Sequence, residues 1–379
     1  MKKARLLFVG IGGYASTHLR PILHGDRPDT EIVGCVDPYP DASGFLAPLR
    51  ERGVPIFSDM AQFFDAGLSA DLCVISTPIH LHARQMIAAL DHGCCVMAEK
   101  PLCGDVSDIP AMLAARDRAG KYVGIGYQWS YSAAVQAMKR DVLAGRYGKP
   151  ILLKTLVLWP RDRAYYRRGS GWAGKIRAAD GSLILDSVAN NATAHYLHNM
   201  LYVLGKTVDT AAAPLSVRAS LWRANDIENY DTCSMEVQCE GGARVLFIAS
   251  HATERRQDPI FDYRFERGRI LYEETGETKI IRGILDDGTE VVYGDPFLDV
   301  TNKLFAAVDA VFDPQLRPLC GIEAATPHAL VIAEAQKTPI RDFPAELTAE
   351  NAEENRVYVR GLYESLTAAY EEGRFWDGL

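Results

Sequence analysis

The sequence predicts an α/β chain: a doubly wound parallel sheet over residues 1–127, followed over 128–379 by an α+β domain with a large, open, mostly antiparallel sheet. Three observations predict it. Short apolar runs alternate with helix-compatible stretches through the first third of the chain. A glycine-rich turn joins the first run to the first helix. After residue 127 the apolar runs lengthen and follow one another across Gly, Asp and Asn turns, with no helix between them.

The first part reads in order. RLLFV (5–9) meets glycines and then a helix over Tyr14–Leu23; EIVGCVD leads to a helix near 42–52, DLCVIST to HLHARQMIAALDHG, CCVMAEK to VSDIPAMLAARDRAG, and YVGIGY closes the series. Strands and helices in this alternation form βαβ units with right-handed crossovers, hence a parallel sheet. A helix over Tyr131–Leu143 stops at GRYGKP. ILLKTLVLW, LSVRASLW, TCSMEVQCE, ARVLFIASH, FDYRFERG and RILYEE then read as strands. Helical patterns return at 297–311, 321–336 and 349–372, the last as one amphipathic helix that covers the core or joins subunits.

A length of 379 residues exceeds what one core supports, so two domains are expected. Hydrophobic residues at 48% and charged residues at 24% are the proportions of a chain folded throughout. The net charge of −8 argues against nucleic acid as a partner, because phosphate binding needs surplus Lys and Arg. The opening apolar run is too short for a signal core or a membrane span, so a cytoplasmic protein with small-molecule partners and no membrane contact is expected. Eight cysteines contain no C-x-x-C pair and read as buried thiols.

Gly10, Gly12 and Ala15, in GIGGYA, follow the G-x-G-x-x-A spacing between a strand and a helix, with Gly13 and Tyr14 completing the turn. Glycines there allow backbone N–H groups to approach a pyrophosphate at the positive end of the following helix. Asp37 ends the next strand, where a carboxylate accepts bonds from the adenosine ribose hydroxyls and repels the 2′-phosphate of NADP. The cofactor expected of this Rossmann arrangement is therefore NAD.

Further along stand Ser76-Thr77-Pro78 with His82, the tripeptide Glu99-Lys100-Pro101, and GYQWSYSAAV from Gly126. Together with GIGGYA these resemble the Gfo/Idh/MocA family, the glucose-fructose oxidoreductase and inositol dehydrogenase group. The resemblance runs from residue 5 to about 336, and AEKPL is its most specific element. It implies a Rossmann domain followed by a substrate-binding domain whose sheet pairs subunits into a homodimer or homotetramer. It also implies roles. Glu99 and Lys100 lie beside the nicotinamide ribose and the substrate, Ser76, Thr77, Pro78 and His82 line the cofactor cleft, and Gln128 stands where the family often has Asn.

A lysine suits this chemistry. Removing hydride from a carbinol C–H requires removal of the hydroxyl proton, and an ammonium polarises the forming carbonyl. In DSVANNATAHYLHNMLYVLG, counting back from Gly205, His195 falls where the family places its catalytic histidine. Asn191 falls where many members have Asp. Read as one helix, Asn191 and His195 share a face at i and i+4. His195 and His198 form an H-x-x-H pair without an evident third ligand, so no metal is expected.

The segment WPRDRAYYRRGSGWAGK combines aromatic faces for a sugar with arginines for carboxylate, phosphate or sulfonate oxygens. Arg163, Tyr166 and Trp172 are its substrate candidates, alongside Lys100, Gln128, Asn191 and His195. The function expected is NAD(H)-dependent hydride transfer with a secondary alcohol of a sugar, polyol or sugar acid. Two alternatives stand: NAD-recycling cleavage of a glycoside through a transient keto-sugar, and a cofactor-binding sensor without catalysis. Glu99-Lys100-Pro101 and His195 count against the sensor.

Overall fold

Ala4–Val9 (β1) is buried at five of its six positions, as the central strand of a sheet covered on both faces must be. The structure, a computed structural model, describes residues 2–168, 171–275 and 278–379. β1 pairs in parallel with Thr30–Val36 (β2) on one side and Leu72–Ile75 (β4) on the other. Ile56–Phe57 (β3), Cys95–Ala98 (β5) and Val123–Ile125 (β6) extend the sheet in the order β3-β2-β1-β4-β5-β6. This is the doubly wound order, whose switch point between β1 and β4 opens a crevice at the strands' carboxyl ends. Helices Ser16–His24 (α1), Leu46–Glu51 (α2), Met60–Asp65 (α3), His82–Asp91 (α4) and Ile109–Ala119 (α5) alternate with the strands.

The chain divides into two compact units, and the division differs from the sequence reading. The first unit runs to Tyr131 and then takes in Asp299–Ile322, a stretch that a boundary at 127 leaves in the second domain. The reason is packing: Leu304, Ala307, Val308 and Ala310 belong to the same apolar cluster as Leu6, Phe8, Val74 and Met97.

The second unit holds helices Ala133–Leu143 (α6), Arg163–Arg167 (α7) and Ala194–Val203 (α8). Its sheet is built from Pro150–Leu158 (β7), Pro214–Arg223 (β8), Thr232–Cys239 (β9), Arg244–Ser250 (β10), Gln257–Phe265 (β11), Gly268–Thr275 (β12), Thr278–Leu285 (β13), Glu290–Gly294 (β14) and Ile340–Asp342 (β15). The order is β14-β13-β12-β11-β7-β10-β9-β8-β15, antiparallel except for the β7–β10 and β8–β15 pairs. The helix Asn302–Phe312 (α9) belongs to the first unit; Ile322–Ala335 (α10) and Leu362–Glu372 (α11) follow it.

The single helix expected over 349–372 is not what forms. Thr348–Asn351 (β16) and Arg356–Val359 (β17) pair as a hairpin, with Thr348 opposite Val359, and the helix starts only at Leu362. Arg-Val-Tyr-Val favours a pleated, half-buried edge, and its burial alternates accordingly, which outweighs the helical spacing of its apolar residues. Among the described residues no helix is long and apolar enough to cross a membrane.

Candidate functional site

In the first unit the glycine turn leaves β1 at Gly10, whose φ of +82° suits glycine alone. A Cβ there would come within 2.8 Å of the Ser76 carbonyl oxygen, so Gly10 also lets β1 and β4 end side by side. Gly12 is different: nothing lies within 4 Å of where its Cβ would be. That open surface before α1 is the cradle a pyrophosphate requires. Asp37 serves the loop as well as any ribose. One carboxylate oxygen accepts from the Ile11 N–H at 3.0 Å and the other from the Tyr39 N–H at 2.8 Å. Each oxygen keeps a lone pair for a further donor. Tyr14 is exposed, and its hydroxyl donates to Gln128 Oε1 at 2.6 Å, joining two predicted cofactor residues.

Ser76, Thr77 and Pro78 follow β4 at the switch point. The Ser76 hydroxyl is buried with no hydrogen-bond partner, a polar atom suited to an incoming group. Thr77 Oγ1 donates to Gln85 Oε1 at 2.5 Å. His82, expected in the cofactor cleft, is buried. Nδ1 faces the Pro101 carbonyl at 2.8 Å and Nε2 the Thr77 carbonyl at 2.9 Å. It clamps the loop after β4 to the turn that carries the cis Lys100–Pro101 bond. Burial pushes its pKa down.

Glu99 directly follows β5, and its side chain turns into the protein. Oε1 accepts from His18 Nε2 at 2.8 Å and from the Lys303 ammonium; Oε2 accepts from the Lys100 backbone N–H at 3.3 Å. A Cβ at position 126 would lie 2.9 Å from that carboxylate, so the glycine at 126 makes its room. Burial alone would raise the Glu99 pKa, but Lys303 and His18 outweigh it and hold the group well below the usual carboxylate range. Burial likewise opposes the Lys303 charge and Glu99 restores it, while His18 is pushed down towards neutrality by burial. The Lys303 ammonium also lies 4.7 Å from the centre of the Tyr14 ring. One buried cation on α9 thus touches Glu99 and Tyr14, two residues of the predicted cleft. Lys100 itself is half-buried. Lys303 and His18 are contacts that the sequence did not reveal.

In the second unit every residue of α8 is buried except His195, which is half-buried. His198 is buried, its ring stacked on Tyr202 at 5.5 Å between centres, and burial pushes its pKa well down. The i, i+4 pairing of Asn191 with His195 on a single helix does not occur, because α8 starts at Ala194. Residues 187–193 form turns, held by bonds such as Thr193 Oγ1 to the Val188 carbonyl at 2.5 Å. Asn191 Nδ2 donates instead to Asp186 Oδ1 at 2.8 Å, and Asp186 Oδ2 accepts from the Gly174 N–H at 2.6 Å. Asp186 is a buried carboxylate that sequence reasoning passed over. Its signal was an acid set inside the apolar stretch LILDSVA.

The aromatic and arginine segment splits. Arg163 is tied to the C-terminal hairpin, 2.5 Å from Glu350 and 3.4 Å from Asn355 Oδ1. Arg168 lies over Tyr165 at 3.6 Å and over Trp172 at 4.9 Å. Tyr166, with Tyr165, Asp186, Tyr230 and His251, lines a small cavity. Gly169 and Ser170 of this segment lie outside the described residues.

Residues 4–127 match the oxidoreductase family with an NAD-binding Rossmann fold. The chain is 27% identical over 267 residues, 67% of its length and 70% of the other's, to the oxidoreductase subunit named for UDP-kanosamine synthase in Amycolatopsis mediterranei. It is 25% identical to the NAD+-dependent scyllo-inositol 2-dehydrogenase of Bacillus subtilis over 52% of this chain and 54% of that one. The WlbA dehydrogenase of Bordetella pertussis, solved with NADH and UDP-GlcNAcA, shares the fold with a TM-score of 0.70 at 22% identity, across 89% of this chain and 96% of that one. With its glycine turn, its doubly wound sheet and Glu99-Lys100-Pro101 directly after β5, the N-terminal region matches the Gfo/Idh/MocA oxidoreductase family over residues 4–127.

Proposed function

We propose that the protein is an NAD(H)-dependent dehydrogenase that moves hydride between nicotinamide and a secondary alcohol of a sugar, polyol or sugar acid. The observation that carries this reading is the fastening of Lys100. Its backbone N–H is bonded to a buried carboxylate at the end of β5, in the unit that carries the open glycine turn. Sugar and polyol alcohols are the chemistry named for the relatives: scyllo-inositol for one, 1,5-anhydro-D-fructose for another, and UDP-sugars for others.

NAD, when bound, supplies the hydride acceptor. Gly10, Gly12 and the start of α1 hold the pyrophosphate, and Asp37 takes the adenosine ribose. The Lys100 amine receives the hydroxyl proton as the carbonyl forms and stabilises the oxygen's developing charge. In the second unit His195 and the Asp186-held Asn191 bond substrate hydroxyls.

The test is turnover. With a panel of sugars, sugar acids and polyols, NAD and absorbance at 340 nm, Lys100→Ala is expected to lower the rate about 10²–10⁴-fold while NADH affinity stays near wild type. A rate within threefold of wild type would remove Lys100 from the mechanism.

A further inference from the structure

We infer that Arg161 and Arg168 form an oxyanion subsite that receives the carboxylate of a sugar acid or the phosphates of a sugar nucleotide. The inference rests on the dehydrogenase reading and narrows its substrate to an anionic sugar. Both guanidinium groups lie over the Tyr165 ring, at 4.9 and 3.6 Å from its centre. Arg161 also lies 5.4 Å from the Trp159 ring and Arg168 4.9 Å from the Trp172 ring. Two positive charges sharing one ring repel each other, and the ring's negative face offsets only part of that.

Four other arginines of the second unit have counter-ions. Arg163 pairs with Glu350, Arg256 with Asp258, Arg356 with Glu354 and Arg255 with Glu364. Among the described residues neither Arg161 nor Arg168 pairs with a carboxylate. Arg161 Nε is moreover buried with no hydrogen-bond acceptor, and a buried charged donor in that state is costly unless something arrives to accept from it. Aromatic stacking holds both guanidiniums in place. Arg168 Nη1 also donates to the Tyr165 carbonyl at 2.6 Å, which fixes that side chain further and leaves its remaining N–H groups, with those of Arg161, to take a carboxylate or phosphate.

Polar groups also stand beside the shared Tyr165 ring. His251 stands 5.5 Å from Tyr165, edge to face, and lines one cavity with Tyr166 and Asp186. Its Nδ1 faces the Trp159 carbonyl at 2.8 Å, so that nitrogen carries the proton and Nε2 presents a lone pair. Burial, with Arg161 and Arg168 adding to it, pushes the His251 pKa down to about 3, which keeps the ring neutral. Nε2 and the Tyr166 hydroxyl are both buried without partners. An acceptor and a hydroxyl without partners thus lie against the Tyr165 ring that the two arginines share. Asp186, on the same cavity, holds Asn191, four residues before His195.

The experiment is calorimetric titration of the full-length protein, loaded with NAD, with glucose, glucuronate, UDP-glucose and UDP. At least one anionic probe is expected to bind about tenfold or more tightly than glucose, and to weaken as salt rises. Tighter glucuronate identifies a carboxylate site; tighter UDP-glucose and UDP identify a phosphate site. Arg161→Gln and Arg168→Gln should each abolish the preference, and Arg255→Gln should leave it within about twofold. Arg161→Met and Arg168→Met also remove the charge, keep an apolar stem against the rings, and serve in place of either glutamine variant that fails to fold. Anionic probes that bind no better than glucose, or a preference that survives loss of both arginines, overturn the subsite. Binding is read without turnover. Failure to reduce NAD with any alcohol therefore counts against the dehydrogenase reading alone.

Discussion

The Glu99 carboxylate and the Lys303 ammonium, 204 positions apart in the chain, meet in a buried ion pair that also engages His18. Removing one member of such a pair strands the other charge away from water, at a cost of about 3–5 kcal/mol. Lys303→Met is therefore expected to be strongly destabilising in urea. The double variant Glu99→Gln/Lys303→Met should recover much of the loss, since two neutral groups need no mutual compensation. Additive losses in the double variant would show that the two residues are not coupled.

Gly10 and Gly12 should respond to alanine in opposite ways. At Gly10 the backbone is left-handed and the Cβ meets the Ser76 carbonyl, so Gly10→Ala lowers stability by at least about 1–2 kcal/mol and weakens NADH binding with it. At Gly12 the space is open, so Gly12→Ala should keep the melting temperature and lose NADH affinity alone. Melting curves paired with fluorescence titration read both. A Gly12→Ala protein with full NADH affinity would show that no phosphate lies against that turn.

Asp37 should make NADPH the weaker ligand. Its two backbone bonds hold the carboxylate in place at the end of β2. A second negative charge about 4 Å away costs roughly 1 kcal/mol in water and about 4 at an effective dielectric near 20. At least about a tenfold preference for NADH is expected by fluorescence titration, and equal affinities would count against Asp37 as the ribose ligand.

Acid should weaken the fold in two separate ranges. His18, His82, His198 and His251 are all pushed down by burial, His251 to about 3. In the unfolded chain these side chains take up protons near pH 6.5, where the folded protein does not, so stability falls as the pH drops below that value. The slope is at most about 1.4 kcal/mol per pH unit for each histidine. The contribution of Glu99, whose folded pKa is depressed, is present above roughly pH 4.3 and is lost below it. The urea midpoint should therefore decline between pH 7 and 5, and less steeply in His251→Asn. A midpoint flat over that range contradicts the burial of these rings.

Local pattern made the Rossmann unit legible, because alternating strands, a glycine turn and Asp37 are separated by short stretches of chain. The partner of Glu99 was not legible. Nothing near Lys303 in NKLFAAVDAVF marks it as buried, since its burial depends on a carboxylate from a distant strand. The helical placement of Asn191 failed because the apolar spacing of the following helix continues upstream through residues that in fact form turns. Arg163 was singled out over Arg161 and Arg168 because composition cannot show which arginine a carboxylate already holds. Only the contact with Glu350 separates them.

The return of α9 to the first unit has a consequence for the order of events at the ribosome. When residue 131 has been made, the six-stranded sheet exists as sequence, yet Leu304, Ala307, Val308 and the ammonium that neutralises Glu99 do not. At about 5–20 residues per second those groups arrive roughly 10–40 seconds later. Through that interval the nascent sheet carries an uncovered apolar face and a carboxylate that lacks its ammonium partner. The dinucleotide half of the molecule, although translated first, is thus completed only once most of the second unit has followed it off the ribosome.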